Sequence, residues 1–458
     1  MGLKKWAALA CVVLVIELWP DLAAHRVLAQ NSPFVLPVVK RDSLLNGLQL
    51  ITLEQGKTGT VSAHLRINTG ALFDLANKGG LADITAGMLL RGGGGFNAKA
   101  VADIVEQSGL TVSVATGWDA TDVVISGPAD SLDTIVDLLG KLVIAPTFDQ
   151  KDLDALKAER VATLNTESRD DALVVRHKAM AATFGSYPFG RPARGTVASI
   201  GQISRQDLQY FHNRFYIANN SALIVTGDAS SEQVTRLGRS KLGAWKKGEK
   251  VPPTFRPAEA QVARRVFLLD RTEEQPAQAV VAQVGLSRRA DDYLKALVMT
   301  EVLTQQALKT TSGHPSTTIE TDLEARLLAG PLSVRVKSAP ADLPGDLEAV
   351  LDTMTRMQTS PAPDERVEAA KSKLITAMTE RLKTTDGAAQ IILDIETYGL
   401  GRDYVIHYAD RVNAITPADV QRAAQTYLKP QGVTIVIAGP ASRFETLMKK
   451  IGTVAVVN

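Results

Sequence analysis

The segments Ile203-Ser-Arg-Gln-Asp207 and Ile415-Thr-Pro-Ala-Asp419 repeat one pattern at an offset of 212 residues, from 203 to 415. The match continues without a gap through Gly227 and its counterpart Gly439. An internal repeat of this length indicates duplication of one structural unit. We therefore predict two homologous halves, each of which ends with the same unit.

The repeated unit has the pattern of a capped helix followed by a strand. Ser204 and Thr416 are residue types that favour the N-cap position. Asp207 and Asp419 follow three residues later, where a carboxylate stabilises the exposed amides at a helix start. The apolar segments that come next, and that favour strands, are Ala222-Leu-Ile-Val-Thr226 and Val433-Thr-Ile-Val-Ile437.

The rest of the chain alternates between strand and helix patterns, which predicts an α+β fold. The predicted strands of the first half are residues 49–53, 61–67, 110–116 and 122–126, and its predicted helices are residues 80–90, 97–109, 132–142 and 152–166. Residues 246–262 are charged and proline-rich, as a stiff linker is. We place the domain boundary there, with an N-terminal domain at 40–250 and a C-terminal domain at 263–458.

Residues 1–29 have the pattern of a secretory signal peptide. Lys4 and Lys5 precede an apolar run, and Val27-Leu-Ala29 supplies the small residues that signal peptidase recognises. An uncleaved membrane anchor is the alternative, although the run is short for a span. We predict a secreted protein with no stable membrane span after cleavage, and a periplasmic one if the source is Gram-negative. Cys11, the single cysteine, would leave with the signal.

The composition is that of a globular protein with a core. Hydrophobic residues make up 45% of the chain and charged residues 22%, and the formal net charge is +2. Such a balance gives no basic surface for nucleic acid, so we predict no nucleic-acid partner.

Several short phrases resemble the pitrilysin/insulinase metallopeptidases. They are Leu45-Asn-Gly-Leu-Gln-Leu50, Thr69-Gly-Ala-Leu-Phe-Asp74, Gly80-Leu-Ala82, Tyr187-Pro-Phe-Gly-Arg-Pro192 and Gly195-Thr196, together with the two repeat copies. In this order they extend over about residues 40 to 445. The resemblance implies two homologous domains, each a mixed β-sheet with helices packed on one face, arranged as a clam shell. It is nearest to the compact, two-domain, processing-peptidase-like bacterial type.

Active members of that family carry His-x-x-Glu-His on the helix that follows Gly-Leu-Ala. Two histidines at i and i+4 hold one zinc, and the glutamate between them activates the zinc-bound water. Here Asp83 stands at the first histidine position, Ala86 replaces the general base and Gly87 replaces the second histidine. Glu159 resembles the distal glutamate ligand but lacks its partners. The resemblance thus implies no catalytic residue, no metal ligand set and no cofactor in this chain.

Active relatives also use an arginine and a tyrosine of the second half to hold the substrate backbone. The corresponding residues, 323–334, place Glu324 at the arginine position and contain no tyrosine. Glu324 and Arg326 are therefore weak candidates for substrate binding. The glycine run 92–95 is interpreted as a flexible turn, because the Gly-Lys-Ser/Thr of a phosphate loop does not follow it.

Three functions remain open on the sequence. The favoured one is a non-catalytic, substrate-binding or structural subunit of a secreted heterodimeric zinc peptidase, with a zinc-bearing paralogue and a peptide substrate as partners. The alternative is a stand-alone peptide-binding or scaffold protein of the cell envelope. The third, an active zinc metalloendopeptidase with unrecognised ligands, conflicts with the loss of the general base, which alone costs about 10²–10⁴-fold in rate.

Overall fold

A computed structural model describes residues 38–272 and 275–457. The predicted signal peptide therefore lies outside the described residues. Two six-stranded mixed sheets, each with its own helices, account for the two halves of the chain. The α+β class and the two homologous domains are confirmed. The proposed boundary at 246–262 contains no helix or strand, and the exact domain limits stay a prediction.

The first sheet has the order β1-β2-β8-β3-β7-β6, with only β2 and β8 parallel. Its strands, and the short β4–β5 hairpin, are β1 (Val39–Ser43), β2 (Gln49–Glu54), β3 (Thr60–Ile67), β4 (Gly92–Gly93), β5 (Phe96–Asn97), β6 (Thr111–Thr116), β7 (Thr121–Pro128) and β8 (Ser221–Gly227). Its helices are α1 (Leu81–Leu89), α2 (Ala98–Gln107), α3 (Leu132–Ile144), α4 (Gln150–Glu167), α5 (Asp171–Phe184), α6 (Val197–Gly201), α7 (Arg205–Phe215) and α8 (Ser231–Leu237).

The second sheet has the order β11-β12-β10-β13-β9-β14. Its strands are β9 (Arg265–Asp270), β10 (Ala277–Val284), β11 (Thr318–Leu323), β12 (Pro331–Ser338), β13 (Thr434–Gly439) and β14 (Thr453–Val457). Its helices are α9 (Tyr293–Thr310), α10 (Leu343–Thr359), α11 (Asp364–Lys383), α12 (Thr385–Tyr398), α13 (Tyr408–Asn413), α14 (Pro417–Tyr427) and α15 (Ala441–Met448).

The two sheets have equivalent topologies. Strands β2, β8, β3, β7 and β6 correspond in order to β9, β13, β10, β12 and β11, and the β2–β8 and β9–β13 pairs are both parallel. The outer strands differ: β1 runs antiparallel to β2 and precedes it, whereas β14 runs parallel to β9 and comes last in the chain. This correspondence confirms the duplication predicted from the repeat.

The repeated helix starts adopt the predicted caps. The Ser204 hydroxyl accepts a hydrogen bond from the amide of Asp207, whose carboxylate accepts one from the amide of Ser204 at 2.8 Å. Thr416 and Asp419 make the same reciprocal pair, with 3.0 Å between the Thr416 amide and the carboxylate. Each capping box satisfies two backbone donors at a helix start.

Each sheet packs its own helices on one face, as predicted, and one helix of the other half covers its opposite face. The contacts of α5 join Val175, Ala179, Met180 and Phe184 to Leu269, Val280, Ala282, Val436 and Ala438 of the second sheet. The contacts of α12 join Ala388, Ala389, Ile392 and Leu393 to Ile51, Leu53, Ala222 and Ile224 of the first sheet. The largely apolar and fully buried sequences of β8 and β13 fit this arrangement, because a strand that is covered on both faces needs apolar side chains on both.

Within residues 38–272 and 275–457, no helix has both the length and the apolar composition needed to cross a membrane.

Candidate functional site

Helix α1, which carries the three altered motif positions, is held at its N-terminus by Asp74. The fully buried Asp74 carboxylate accepts hydrogen bonds from the amides of Gly80 at 2.7 Å and Ala82 at 2.8 Å, and lies 3.0 Å from Arg191 Nη1. Burial raises the pKa of Asp74 to about 6, while Arg191 and the two amides act in the opposite direction. Two of the phrases that carry the family resemblance thus meet at the start of this helix.

Gly80 is required where it stands. Its φ is +91°, and a Cβ atom there would lie 2.5 Å from the carbonyl oxygen of Arg194. Any other residue would push away the loop that contains Arg191 and Arg194, because a contact this short with a backbone oxygen is relieved only by moving the backbone.

Asp83, at the first histidine position, forms an ion pair with Arg160 of α4. Arg160 Nε donates to Asp83 Oδ2 at 2.7 Å, and Nη2 lies 3.4 Å from Oδ1. Asp83 is only 8% exposed, so the guanidinium is the cation that compensates its burial.

The space beside Gly87 is also filled. A Cβ atom at Gly87 would lie 2.9 Å from Leu156 Cδ2 and 3.8 Å from Arg160 Nη2. A histidine at position 87 would therefore collide with α4 unless Leu156 moved. Ala86, at the general-base position, is buried and has no polar side chain.

Glu159 is directed away from Asp83. Its carboxylate accepts two hydrogen bonds from Arg91 Nη2, at 2.8 and 2.7 Å, and its side chain is 57% exposed. Helical periodicity explains why Arg160 takes the inner place instead. Arg160 lies seven residues after the buried Leu153, on the same face of α4, whereas Glu159 lies about 100° to one side. The buried positions Leu153 and Leu156 were the signal that could have found it.

These residues do not fit a zinc ion. A catalytic zinc site uses three protein ligands, and here one carboxylate is paired with a guanidinium while Gly87 has no side chain. Within the described part of the chain, no group of three or more His, Cys, Asp or Glu side chains is arranged to hold a metal.

A cavity of about 310 Å³ lies further along α4, between the two halves. Leu164 and Glu167 of α4 line it, one and two turns beyond Arg160 on the same helix face. The second half contributes Glu324 and Pro331. Helix α4 thus joins the two places, because Arg160 contacts Asp83 while Leu164 and Glu167 line the cavity.

The aromatic wall of the cavity comes from the phrase that contains Phe189. The Phe189 and Trp118 rings meet edge to face with centroids 4.9 Å apart, and the Arg191 guanidinium lies 5.6 Å from the Trp118 ring. An apolar surface with charged groups at its rim is typical of sites that bind peptides or small molecules.

The charges on the cavity wall are largely paired. Arg194 Nη1 lies 3.0 Å from Glu167, and Arg176 forms an ion pair with Glu324. Burial, and then Arg176, lower the pKa of His177, with Glu167 opposing them. A neutral imidazole can both donate and accept, so His177 is suited to a peptide amide.

The two substrate-binding candidates of the second half have different places. Glu324 lies on the cavity wall, where Arg176 binds it. Arg326 is outside that wall, beside Asp119 and Tyr398, and its buried Nε has no hydrogen-bond partner. Burial acts to lower the pKa of Arg326, but Tyr398, Asp119 and Glu324 together raise it.

Two family models match the chain. "Insulinase (Peptidase family M16)" matches residues 50–197, and "Peptidase M16 inactive domain" matches residues 202–374. The chain belongs to peptidase family M16. The M16 assignment agrees with the paired topology of its two sheets and confirms the resemblance found in the sequence.

Some of the M16 relatives are peptidase subunits, and one is a non-peptidase. The mitochondrial-processing peptidase subunit beta of Blastocladiella emersonii is 22% identical over 423 residues, covering 88% of this chain and 89% of that protein. The non-peptidase homolog YmxG of Helicobacter pylori is 22% identical over 240 residues, covering 52% of this chain and 55% of that protein. A solved M16 inactive domain from Pseudomonas fluorescens has a TM-score of 0.79 at 20% identity, covering 88% of this chain and 98% of that one.

Proposed function

We propose that this chain is a non-catalytic, secreted M16 subunit that binds peptide and pairs with a zinc-bearing paralogue. The observation that carries the proposal is the Arg160–Asp83 ion pair beside Gly87. A guanidinium can neutralise the buried carboxylate, but it neither polarises a carbonyl as a metal does nor activates a water molecule. The helix is thus stabilised without the chemistry that its position serves in active relatives.

The edge of the first sheet supports the peptide-binding part of the proposal. Strand β6 is an outer strand of that sheet, and it contacts helix α1. An outer strand presents backbone donors and acceptors to which an extended peptide can add as a further strand. Alternate β6 side chains are exposed, so an added strand meets no large apolar surface there.

The relatives support the pairing. Several of them are named as beta subunits of the mitochondrial-processing peptidase, and one is named as a non-peptidase homolog. A chain that retains the two-domain architecture and has lost the ligand positions fits the role of the second subunit. The signal-peptide pattern of residues 1–29 supports secretion.

The test is affinity purification of the tagged mature chain from its native envelope fraction, with metal analysis and peptide-cleavage assays on the isolated chain. We expect one stoichiometric paralogue that carries His-x-x-Glu-His, substoichiometric zinc in the chain alone, and cleavage only by the pair. Recovery of the chain without that paralogue would overturn the pairing.

Two variants separate a structural ion pair from a hidden metal site. If Asp83 only binds Arg160, then Asp83→Ala and Arg160→Ala each destabilise the fold by about 1–3 kcal/mol, because each leaves a charged partner unpaired. Neither should alter the metal content. A metal content that falls in Asp83→Ala but not in Arg160→Ala would contradict the non-catalytic proposal.

A stand-alone peptide binder is the second candidate, and the cavity favours it. Both halves of one chain already enclose about 310 Å³, with an aromatic wall and His177. A peptide that binds the isolated chain at that cavity, with no paralogue recovered from the envelope, would establish this function instead.

A further inference from the structure

A second cavity, of about 700 Å³, lies within the second half, and its wall is rich in arginine and tyrosine. We call it the arginine–tyrosine pocket; its defining residues are Arg288, Arg289, Arg411, Tyr293, Tyr398 and Tyr404. Asp291 is the one acidic residue on its wall in the described part of the chain. The pocket shares no lining residue with the cavity between the halves.

Among the described residues, Arg288 forms no ion pair with a carboxylate, and the charge of Asp394 acts on it only from farther away. Its guanidinium lies 3.8 Å from the centre of the Tyr293 ring and 5.2 Å from that of Tyr404. Nη2 donates to the Tyr404 hydroxyl at 2.9 Å, which is the one side-chain hydrogen bond of Arg288 within residues 38–272 and 275–457. A guanidinium has five N–H donors and keeps its charge at all ordinary pH values.

The remaining donors of Arg288 are not fully buried. None of its nitrogen atoms is among the buried polar atoms that lack a partner, in contrast to Nε of Arg326. The tyrosine rings stabilise the cation by cation–π attraction, typically by about 0.5–2 kcal/mol, but they accept few hydrogen bonds. The pocket therefore has unused, fixed donors on a positively charged wall.

The other two arginines add to the positive charge. Arg289 donates to the backbone oxygens of Tyr398 at 3.0 Å and Thr397 at 3.2 Å, at the C-terminus of α12, where a cation is favoured. Arg411 lies at the exposed rim, and its nearest carboxylate, that of Asp403, is 3.9 Å away. In the part of the chain that the structure describes, none of the three arginines donates a hydrogen bond to a carboxylate, and the one ion-pair distance is the 3.9 Å between Arg411 and Asp403.

We propose that the arginine–tyrosine pocket binds an oxyanion, either a carboxylate or a phosphate, and that the tyrosine rings cover the group attached to it. Planar guanidinium groups bind both anions through paired N–H donors. The anion comes either from a peptide carboxylate or from a free phosphorylated molecule. This site is independent of the proposed pairing and of peptide binding between the halves.

The test is calorimetric titration of the full mature chain with inorganic pyrophosphate, with a short acidic peptide that has a free C-terminus, and with the same peptide amidated. We expect at least one anion to bind with an affinity that falls as salt rises. Preference for pyrophosphate identifies a phosphate source, and preference for the free over the amidated peptide identifies a terminal carboxylate. No binding of any of the three at low salt would overturn the proposal.

Three variants assign the binding to the pocket. Arg288→Gln should weaken binding by about tenfold or more, and Arg288→Lys should restore only part of it, because an ammonium keeps the charge but lacks the planar, parallel N–H donors of a guanidinium. Arg236→Gln, which removes an exposed charge from helix α8, should bind as the natural chain does. If Arg288→Gln impairs folding, Arg411→Gln at the rim replaces it, with an expected loss of a few-fold. Binding unchanged in both pocket variants would sink the proposal.

Discussion

Helices α5 and α12 both join the two halves of the chain, but their contacts differ in composition. Each packs on the sheet of the other half and covers the face of that sheet opposite to the sheet's own helices. The α5 contact is mainly apolar, with Phe184 at the end of the helix and Phe189 beyond it, and it also includes the ion pairs Arg176–Glu324 and Asp171–Arg271. The α12 contact has a smaller apolar centre and a row of hydrogen bonds and ion pairs beside it.

The polar row of α12 is centred on Arg66 of β3. Arg66 donates to both oxygens of Asp122, at 2.7 and 2.9 Å, and to Asp394 of α12 at 2.7 Å. Around it, Thr397 donates to Asn68 at 2.8 Å. Apolar burial is non-directional, whereas such bonds form in only one register. Since α5 makes two ion pairs of its own to the second half, we infer only a difference of degree: α5 contributes more apolar burial, and the buried Arg66 network of α12 constrains the alignment of the halves more.

The largest effect should come from Arg66→Met. Its side chain is 8% exposed, and its loss removes the ion-pair partner of Asp122 and leaves Asp394 with only the more distant Arg381, at 3.8 Å. Breaking a buried ion pair from one side costs about 3–5 kcal/mol in unfolding free energy. Urea denaturation measures this change in the free energy of unfolding. The matched variant Arg41→Met breaks a more exposed pair with Glu396 and should cost at most about 1 kcal/mol. If both variants lost the same unfolding free energy, the buried Arg66 pairs would contribute no more to the α12 contact than the exposed Arg41–Glu396 pair, contrary to the prediction.

A smaller effect is expected from Val175→Ala in α5. Val175 is fully buried against the second sheet, and removing two methyl groups costs about 2 kcal/mol at roughly 0.8 kcal/mol per buried carbon plus the cavity. Val197→Ala, at an exposed helical valine, should change stability by less than about 0.5 kcal/mol. A Val175→Ala loss as large as that of Arg66→Met would show that α5 and α12 do not differ as argued.

The smallest effect concerns pH and His64, also on β3. His64 Nε2 lies 2.9 Å from Ser62 Oγ and 3.2 Å from Asp386 of α12, and its Nδ1 is buried without a partner. Burial lowers the pKa of His64 most; Asp386 and Asp122 oppose it, and Arg66 adds to the lowering. The unfolded chain therefore binds a proton more readily, and stability is lost as pH falls below about 6.5, the unfolded value.

Subtracting the unfolding free energies of His64→Gln from those of the natural chain, between pH 5 and 7.5, isolates this slope. His314→Gln in the second half should give a slope of opposite sign. Its Nδ1 lies 2.7 Å from Asp346, and that hydrogen bond raises the pKa of His314, so its stabilisation is lost as pH rises. Slopes of the same sign for both histidines would contradict the assigned environments.

The sequence located most residues of the candidate site, but it did not indicate that Arg160 contacts Asp83. Asp83, Ala86 and Gly87 could be found because they occupy fixed places on one short helix after a recognisable phrase. Glu159 resembles the distal ligand without its partners, and the structure shows in addition that the neighbouring Arg160 contacts Asp83. Arg326 was a candidate for the substrate surface, and the structure places it outside the cavity wall, beside Asp119.

The sequence by itself determined the duplication and the α+β class, and it predicts the loss of the ligand positions, because caps, periodicity and motif spacing are local properties of the chain. Only the tertiary structure showed that α5 and α12 each pack on the sheet of the other half. The same holds for the Arg66 network and the arginine–tyrosine pocket. Arg66 and Asp394 are separated by 328 positions, and Arg288 and Tyr404 by 116. Contacts at such separations depend on how whole sheets and helices pack. That packing decides which charged side chains, such as Arg66, meet a carboxylate and which, such as Arg288, do not.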